Sequence, residues 1–372
     1  MSFKLVLPIL LYLFINSLFV LKYSSRVDSD LGYVFTLLYF CLSLVWIYFF
    51  QKTNLKIYYK GSFFLILSFF FLVTIYLNIV VDGYTLNTDR WSAMEAGISA
   101  LLNGDYPYSA IDHLNGRTSN LPTLLFIGIP FYLIGNIGFL QSFAFLIFAY
   151  IIYITFTSYR DRLFCLLLLI CSPAYLWEVY AKSDLMSNFI FITLFLVVVQ
   201  KKITKNQSIN TSVLSFLSTA LLLTRLTSVI PISLLLFKEF YYFSIKKKLI
   251  FITTAVVTAL VFLFICFHNA DNIEHIKMHN PLELQNRQLP FIVSILFIIS
   301  PIIYSFKVHN LSELIGSNVF ILFITVAIAF ILNIFEHGIF QCVFNSAFDI
   351  SYFNITLPFV ILFIALNYKI SH

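Results

Sequence analysis

The chain is interrupted repeatedly by apolar runs long enough to enter or cross a lipid bilayer. They lie at about 5–21, 31–50, 62–81, 122–135, 139–157, 163–177 and 185–200, then at 211–224, 227–240, 249–268, 290–306, 316–334 and 351–368. A bilayer core takes about 20 apolar residues per helix and offers no water to an unpaired amide, so such runs must close their backbone bonds internally as helices. No water-soluble fold hides this much apolar surface: 60% of the 372 residues are hydrophobic and 11% charged, with a mean hydropathy of +0.92. The expected fold is therefore all-α, a polytopic transmembrane helical bundle of about 12 to 13 apolar segments. It reads as one integral membrane domain, with N-terminal helices over 1–81, a polar loop over 82–121 and the remaining helices over 122–372. The run 5–21 follows a single Lys4 and lacks a convincing small-residue cleavage site, so it reads as a retained first helix.

A net charge of +6 raises the question of a nucleic-acid partner, but the basic residues sit in short loops beside apolar runs, which is the distribution of orientation signals. Nucleic-acid binding is accordingly not expected. Three loops carry the bias: Lys52, Lys56 and Lys60; Lys201, Lys202 and Lys205; Lys246, Lys247 and Lys248. Placing them and Lys4 and Lys369 in the cytoplasm puts both termini inside and requires an even number of crossings, whereas thirteen segments are counted. The segment 122–135, short and carrying Pro122 and Pro130, is the first choice for one that does not cross, with 163–177 and 185–200 as alternatives. Tyrosines at run ends, such as Tyr58, Tyr59, Tyr241 and Tyr242, suit the headgroup region as anchors. Cys41, Cys165, Cys171 and Cys266 lie in apolar runs and Cys342 alone in a polar stretch, a spacing that fits neither a disulfide framework nor a zinc site.

This orientation sends the long polar loops, about 82–121, 178–184, 269–289 and 335–350, to the opposite face together with most acidic residues. Any acid or base chemistry is expected there. The richest loop reads DGYTLNTDRWSAMEAGISALLNGDYPYSAIDHLNGRTSNLPT from Asp82 to Thr123. Thr88 or Asn87 can cap a helix from Asp89 to Asn103, with Trp91, Met94, Ile98, Leu101 and Leu102 on one face and Gly104 as its stop. Such a helix is expected to lie flat on the membrane. Asp89 in its first turn has a plain reading as a charge favoured by the helix dipole.

In this stretch the sequence resembles the GT-C superfamily of polyprenyl-phosphate-sugar-dependent glycosyltransferases. The elements that carry the resemblance are Asp89, the small-residue run AGISALLNG, Asp105, the string YPYS from Tyr106 to Ser109, and the proline-led segment from Leu121 and Pro122. The resemblance is specific over about 82–135 and loose elsewhere. It implies transfer of a sugar, with inversion, from a polyprenyl-phosphate donor to a glycan or glycolipid acceptor, in a membrane that supplies both lipids. It also implies a general base in the first loop, at Asp89, with Asp82 competing for the role. Glu95, Tyr106 and Tyr108 fall within the same matched stretch as candidate substrate contacts. The paired-acidic form found in parts of the superfamily is absent, so a divalent metal has no support from the sequence.

A departing phosphate needs cations, and an intramembrane arginine is a functional candidate by default. Arg225, at the turn of the short hairpin 211–240, is the leading one, the plain alternative being a side chain that snorkels to lipid phosphate. Arg287 is a second candidate, while Arg90 and Arg117 read as loop charges. Glu178 and Asp184 bracket a helix junction, where they either contact the acceptor or cap the helix over 185–200. Asp271, His275 and His279, spaced by four, offer weak metal-ligand spacing that a solvated helix explains as well. Glu336, His337 and Asp349 read first as solvated loop charges. Nucleotide-binding glycine patterns, the zinc-protease signature and the hydrolase elbow are all missing. The sequence thus points to a membrane glycosyltransferase, with a flippase of lipid-linked saccharides or a polysaccharide polymerase or ligase as alternatives. High Phe, Ile and Asn content agrees with an AT-rich genome and a bacterial inner membrane.

Overall fold

A computed structural model describes residues 3–52, 58–286 and 289–368. Every regular element among them is helical. In chain order these are α1 (Phe3–Ser24), α2 (Ser29–Lys52), α3 (Tyr59–Val80), α4 (Arg90–Asn103), α5 (Pro122–Leu133), α6 (Phe139–Thr155), α7 (Tyr159–Ile170), α8 (Pro173–Tyr180) and α9 (Leu185–Thr204). There follow α10 (Thr211–Leu222), α11 (Val229–Tyr242), α12 (Ile245–Phe267), α13 (Ile273–Met278), α14 (Pro281–Asn286), α15 (Phe291–Ser305), α16 (Leu311–His337), α17 (Ile339–Val343) and α18 (Leu357–Asn367). Six of them, α1, α2, α3, α9, α12 and α16, have the length and apolarity of full membrane spans among the described residues, and α5, α6, α10, α15 and α18 are shorter apolar helices. These are the features of an integral membrane protein.

Inside a bilayer, helices gain little from being apolar, so packing and interhelical hydrogen bonds must hold them together. The bundle shows both. α1 packs on α2 and α18, α6 on α9, and α16 on α18, while the Phe164 and Tyr368 rings stack at 3.9 Å between α7 and the end of α18. Tyr12 donates to the Leu168 carbonyl at 2.7 Å, and Tyr368 to the Ile47 carbonyl at 2.8 Å. By contrast α12, α2 and α3 bury only small fractions of their surfaces within the protein, which leaves their apolar sides to lipid.

Two expected segments are broken, for backbone reasons. The run 163–177 becomes α7 and α8, bent by 61°, because Pro173 has no amide to donate and disfavours helix in the residue before it. The exposed backbone is repaired: Ser172 caps α8, and Asn16 of α1 accepts from the Ser172 hydroxyl at 2.5 Å and from the Ala174 amide at 3.1 Å. Similarly, 351–368 starts as a 3-10 turn over Ile350–Ile355 and becomes α18 only at Leu357, with Pro358 in its first turn. The short segment α5 opens beside the hairpin turn, where the Leu121 and Thr123 amides reach the Thr224 and Leu223 carbonyls. It ends beside the last turn of α3, where Asn136 donates to the Asn78 carbonyl at 2.6 Å.

The first-loop helix also departs from expectation. α4 begins at Arg90, Asp89 occupies the cap position without a side-chain cap bond, and neither Thr88 nor Asn87 caps it. Its stop is as expected: Gly104 takes φ +81 and the Asp105 amide reaches back to the Ala100 carbonyl. Rather than facing lipid, Trp91, Met94 and Ile98 are buried in the protein, with Met94 and Ile98 set tightly on Gly128 of α5, while Leu102 is exposed. A fixed underside gives the acidic end of α4 a defined position.

Candidate functional site

Six stretches distant in sequence meet at one polar cavity of about 240 Å³. It is lined by Asp89, Arg90 and Ala93 of α4, Arg117–Asn120 at the end of the first loop, Asp184 before α9, Arg225 at the hairpin turn, Leu284 of α14, and Asp349 with Tyr352. The hairpin turn is held from both sides. Besides the bonds from Leu121 and Thr123, Gln285 accepts from the Leu226 amide at 2.6 Å and donates to the Ser119 carbonyl.

Three arginines and three aspartates share this cavity, and four of the six are paired. Arg225 meets Asp184 at 2.5 Å and Asn120 at 2.8 Å, with both charged side chains at most 5% exposed. A charge pair taken out of water is strongly destabilised if one partner is lost, so this pair fastens the hairpin to α9. Its bonding capacity is unfilled, since Arg225 Nε and Asp184 Oδ1 are buried without hydrogen-bond partners. Arg90 meets Asp349 at 2.5 Å and Ser351 at 3.2 Å, and its guanidinium lies 5.2 Å from the Tyr352 ring centre. Burial would raise the Asp349 carboxyl, but Arg90 and the Ser351 donors outweigh it and hold this acid below its ordinary range. Burial would likewise lower the Arg90 guanidinium, and Asp349, with Tyr352 and Asp184, more than reverses that.

Asp89 and Arg117 remain. Arg117 is exposed and makes no ion pair among the described residues. The Asp89 carboxylate is half-buried, caps no helix and accepts no hydrogen bond among those residues. One of its oxygens faces Gly116: a methyl group there would sit 2.9 Å from Asp89 Oδ2 and 2.6 Å from Asp112 Oδ2. Asp112 spends its other oxygen on the Leu114 and Gly116 amides, at 2.8 and 2.9 Å, which shapes the loop that brings Arg117 to the cavity. An uncommitted carboxylate beside cationic groups with spare donors can accept a proton from a hydroxyl and hold an anion in one small space.

The sequence-derived candidates separate clearly. Asp89, Arg225 and Asp184 converge on the cavity. Asp82 does not line it; it caps the turn Gly83–Thr85 by accepting from the Tyr84 amide at 3.0 Å. Glu95 does not line the cavity; burial raises its carboxyl, and the Lys182 charge offsets part of that. Tyr106 and Tyr108 are buried against Phe267, at ring distances of 5.7 and 5.1 Å, and line a packing cluster instead; burial pushes the Tyr106 hydroxyl up to about 12. Glu178 is fully buried and caps α9, accepting from the Met186 and Ser187 amides at 2.7 and 3.2 Å and from Asn354 at 3.1 Å. Arg287 lies outside the described residues. Asp271, His275 and His279 form no metal-holding group among the described residues, although Asp271 and His275 approach to 3.3 Å.

Arg90, Arg117 and Asp349, read from sequence as loop charges, belong to the cavity, as do Asn120 and Tyr352. Pairing across 259 residues, as between Arg90 and Asp349, leaves no local pattern in one sequence. Directly beside the polar cavity runs an apolar groove between α11, α15 and α16, lined by residues including Ile230, Phe297, Val326 and Phe348. Tyr352 belongs to both spaces, and Leu226 and Gln285 of the groove adjoin Arg225 and Leu284 of the cavity. The chain matches no protein-family model, no curated protein and no solved structure.

Proposed function

We propose that this protein is an integral membrane glycosyltransferase of the GT-C type, which transfers a sugar with inversion from a polyprenyl-phosphate donor to a glycan or glycolipid acceptor. The observation that carries this reading is the uncommitted Asp89 carboxylate in a cavity that also holds Arg90, Arg117 and Arg225 and adjoins an apolar groove. Such a pair of spaces suits a ligand with an anionic head and a long apolar tail. The tail lies along α11, α15 and α16, and the phosphate lies toward Arg117 and the spare Nε donor of Arg225. The acceptor hydroxyl gives its proton to Asp89 as its oxygen bonds to the anomeric carbon, and the bond from that carbon to the phosphate oxygen breaks, its electron pair leaving with the lipid phosphate. Asp89 is preferred to Asp82 because Asp82 is committed to a turn and lies off the cavity.

In this reading α5 does not cross, and the twelve crossings are α1, α2, α3, α6, the α7–α8 pair, α9, α10, α11, α12, α15, α16 and α18. The lysine-rich ends face the cytoplasm of a bacterial cell with both ends of the chain, and the cavity opens to the other face. Incubation of the purified protein in lipid nanodiscs with a polyprenyl-phosphate sugar and membrane glycans tests the proposal. Release of polyprenyl phosphate with glycoside formation is expected, and an Asp89→Asn variant that keeps full transfer would remove Asp89 from its role.

A second reading, a flippase of lipid-linked saccharides, draws support from one feature. The short helices α10 and α11, of 12 and 14 residues, meet at a buried charged turn, as interrupted helices do in transporters. Movement of an intact lipid-linked sugar across vesicles, without glycoside formation, would favour it.

A further inference from the structure

A second cleft, of about 750 Å³, is lined in part by the residues just before Asp89 and Asp184. Asn87 and Thr88 form part of its wall immediately before Asp89, and Tyr180 and Ala181 form another part shortly before Asp184, while those two aspartates themselves line the polar cavity. The two spaces therefore draw on the same two stretches of chain.

The lining of the cleft is unlike that of the purely apolar grooves. Tyr23 and Trp177 lie with ring centres 6.0 Å apart, Phe19 packs beside both, and Tyr39 and Tyr180 extend the aromatic surface. Arg26, which is exposed, holds its guanidinium 4.7 Å from the Tyr23 ring centre. The hydroxyl of Thr88, next to Asp89 in the chain, is buried and has no hydrogen-bond partner. A sugar ring presents an apolar C–H face and a rim of hydroxyls, so it needs flat aromatic surface with a few polar groups at the edge. An acyl chain would leave the buried Thr88 hydroxyl without a partner, at the cost of an unpaired polar group. A free anion would find Arg26 as the one cation among the cleft-lining residues and mostly aromatic surface around it.

We infer that this aromatic cleft is a saccharide-binding site, and that it holds the acceptor sugar whose hydroxyl is offered to Asp89. The second clause rests on the glycosyltransferase reading, whereas saccharide binding does not.

The test uses the full chain in nanodiscs of phosphatidylglycerol and phosphatidylethanolamine, applied to an array of immobilised oligosaccharides. Binding to a subset is expected, with apparent affinity reduced at least tenfold in both Trp177→Ala and Arg26→Ala. Arg26 is exposed, so its variant keeps the test valid if Trp177→Ala fails to fold. The inference is overturned if the protein binds no oligosaccharide, if both variants bind like the parent, or if mass spectrometry finds the cleft filled by a phospholipid that Trp177→Ala releases. Farnesyl phosphate binding, measured in the same nanodiscs with Arg225→Lys, reports separately on the donor side. Loss of glycan dependence on Trp177 with farnesyl phosphate dependence on Arg225 intact would remove the cleft and spare the donor site, and the reverse would do the opposite.

Discussion

Two arginine–aspartate pairs line the cavity with Asp89, with the same 2.5 Å separation and unequal burial. Arg225 and Asp184 are almost completely shut from solvent, at 5% and 3% exposure, and join the hairpin turn to α9. Arg90 and Asp349 join the first turn of α4 to the last loop, at 14% and 42% exposure, so the pair is wetted on its Asp349 side. Equal geometry therefore carries unequal consequences. A dry pair cannot lose one member without stranding the other, whereas water can take over much of what an open pair supplies. The dry pair is a structural bolt with unused donors, and the open pair is an adjustable strap on the helix that presents Asp89.

The largest effect that could break this contrast is removal of Arg225. Arg225→Ala is expected to destabilise the protein by about 3–5 kcal/mol, because Asp184 is left buried and uncompensated. A double variant, Arg225→Met with Asp184→Leu, should recover much of that stability while failing to bind farnesyl phosphate. Thermal unfolding in detergent and a binding assay check both halves, and equal losses in the single and double variants would dissolve the bolt argument.

Next, Asp89→Asn should lower transfer by about 10²–10⁴-fold. Because that carboxylate accepts no hydrogen bond among the described residues, the variant should unfold within about 0.5 kcal/mol of the parent. A variant equally inactive but strongly destabilised would make Asp89 a structural residue. Smaller again, Asp349→Asn should cost about 1 kcal/mol or less, since the exposed side of the pair is screened by water. Its kinetic signature should be a reduced kcat from a misdirected Asp89 rather than weaker farnesyl phosphate binding.

The pH dependence follows from the same strap. Asp349 is held below the ordinary carboxylate range in the folded protein, so its contribution is fully present above about pH 4, where the unfolded chain is also ionised, and is lost as pH falls through the folded value. The stability difference between parent and Asp349→Asn should thus shrink as acid is added below that point. A difference that grows in acid would contradict the assigned ion pair.

Much of the scaffold was legible in the sequence because bilayer helices announce themselves by composition alone. The runs over 249–268 and 290–306 became α12 and α15 with small shifts at their ends. The Gly104 stop was legible because a left-handed residue ending a helix calls for glycine. Bending at Pro173 was not, since the run stays apolar across it and the repair comes from Asn16, far upstream. Asp89, Arg225 and Asp184 could be singled out as charged residues at helix boundaries in an apolar chain. Arg90, Arg117 and Asp349 could not, because their significance lies in partners brought together only by the packed bundle. Tyr106 and Tyr108 show the reverse error: an arresting local string that folds into a packing cluster.

The central claim is that a lipid phosphate sits between Asp89 and the Arg225 turn. It is tested most directly by photocrosslinking with a polyprenyl phosphate that carries a diazirine close to the phosphate, mapped by mass spectrometry in the parent and in Arg225→Lys. The account predicts crosslinks to the cavity wall, at Asn120, Arg225 or Tyr352, that fall sharply in the variant. Crosslinks concentrated at Tyr106 and Tyr108, or at the lysine-rich ends of the helices, would contradict it.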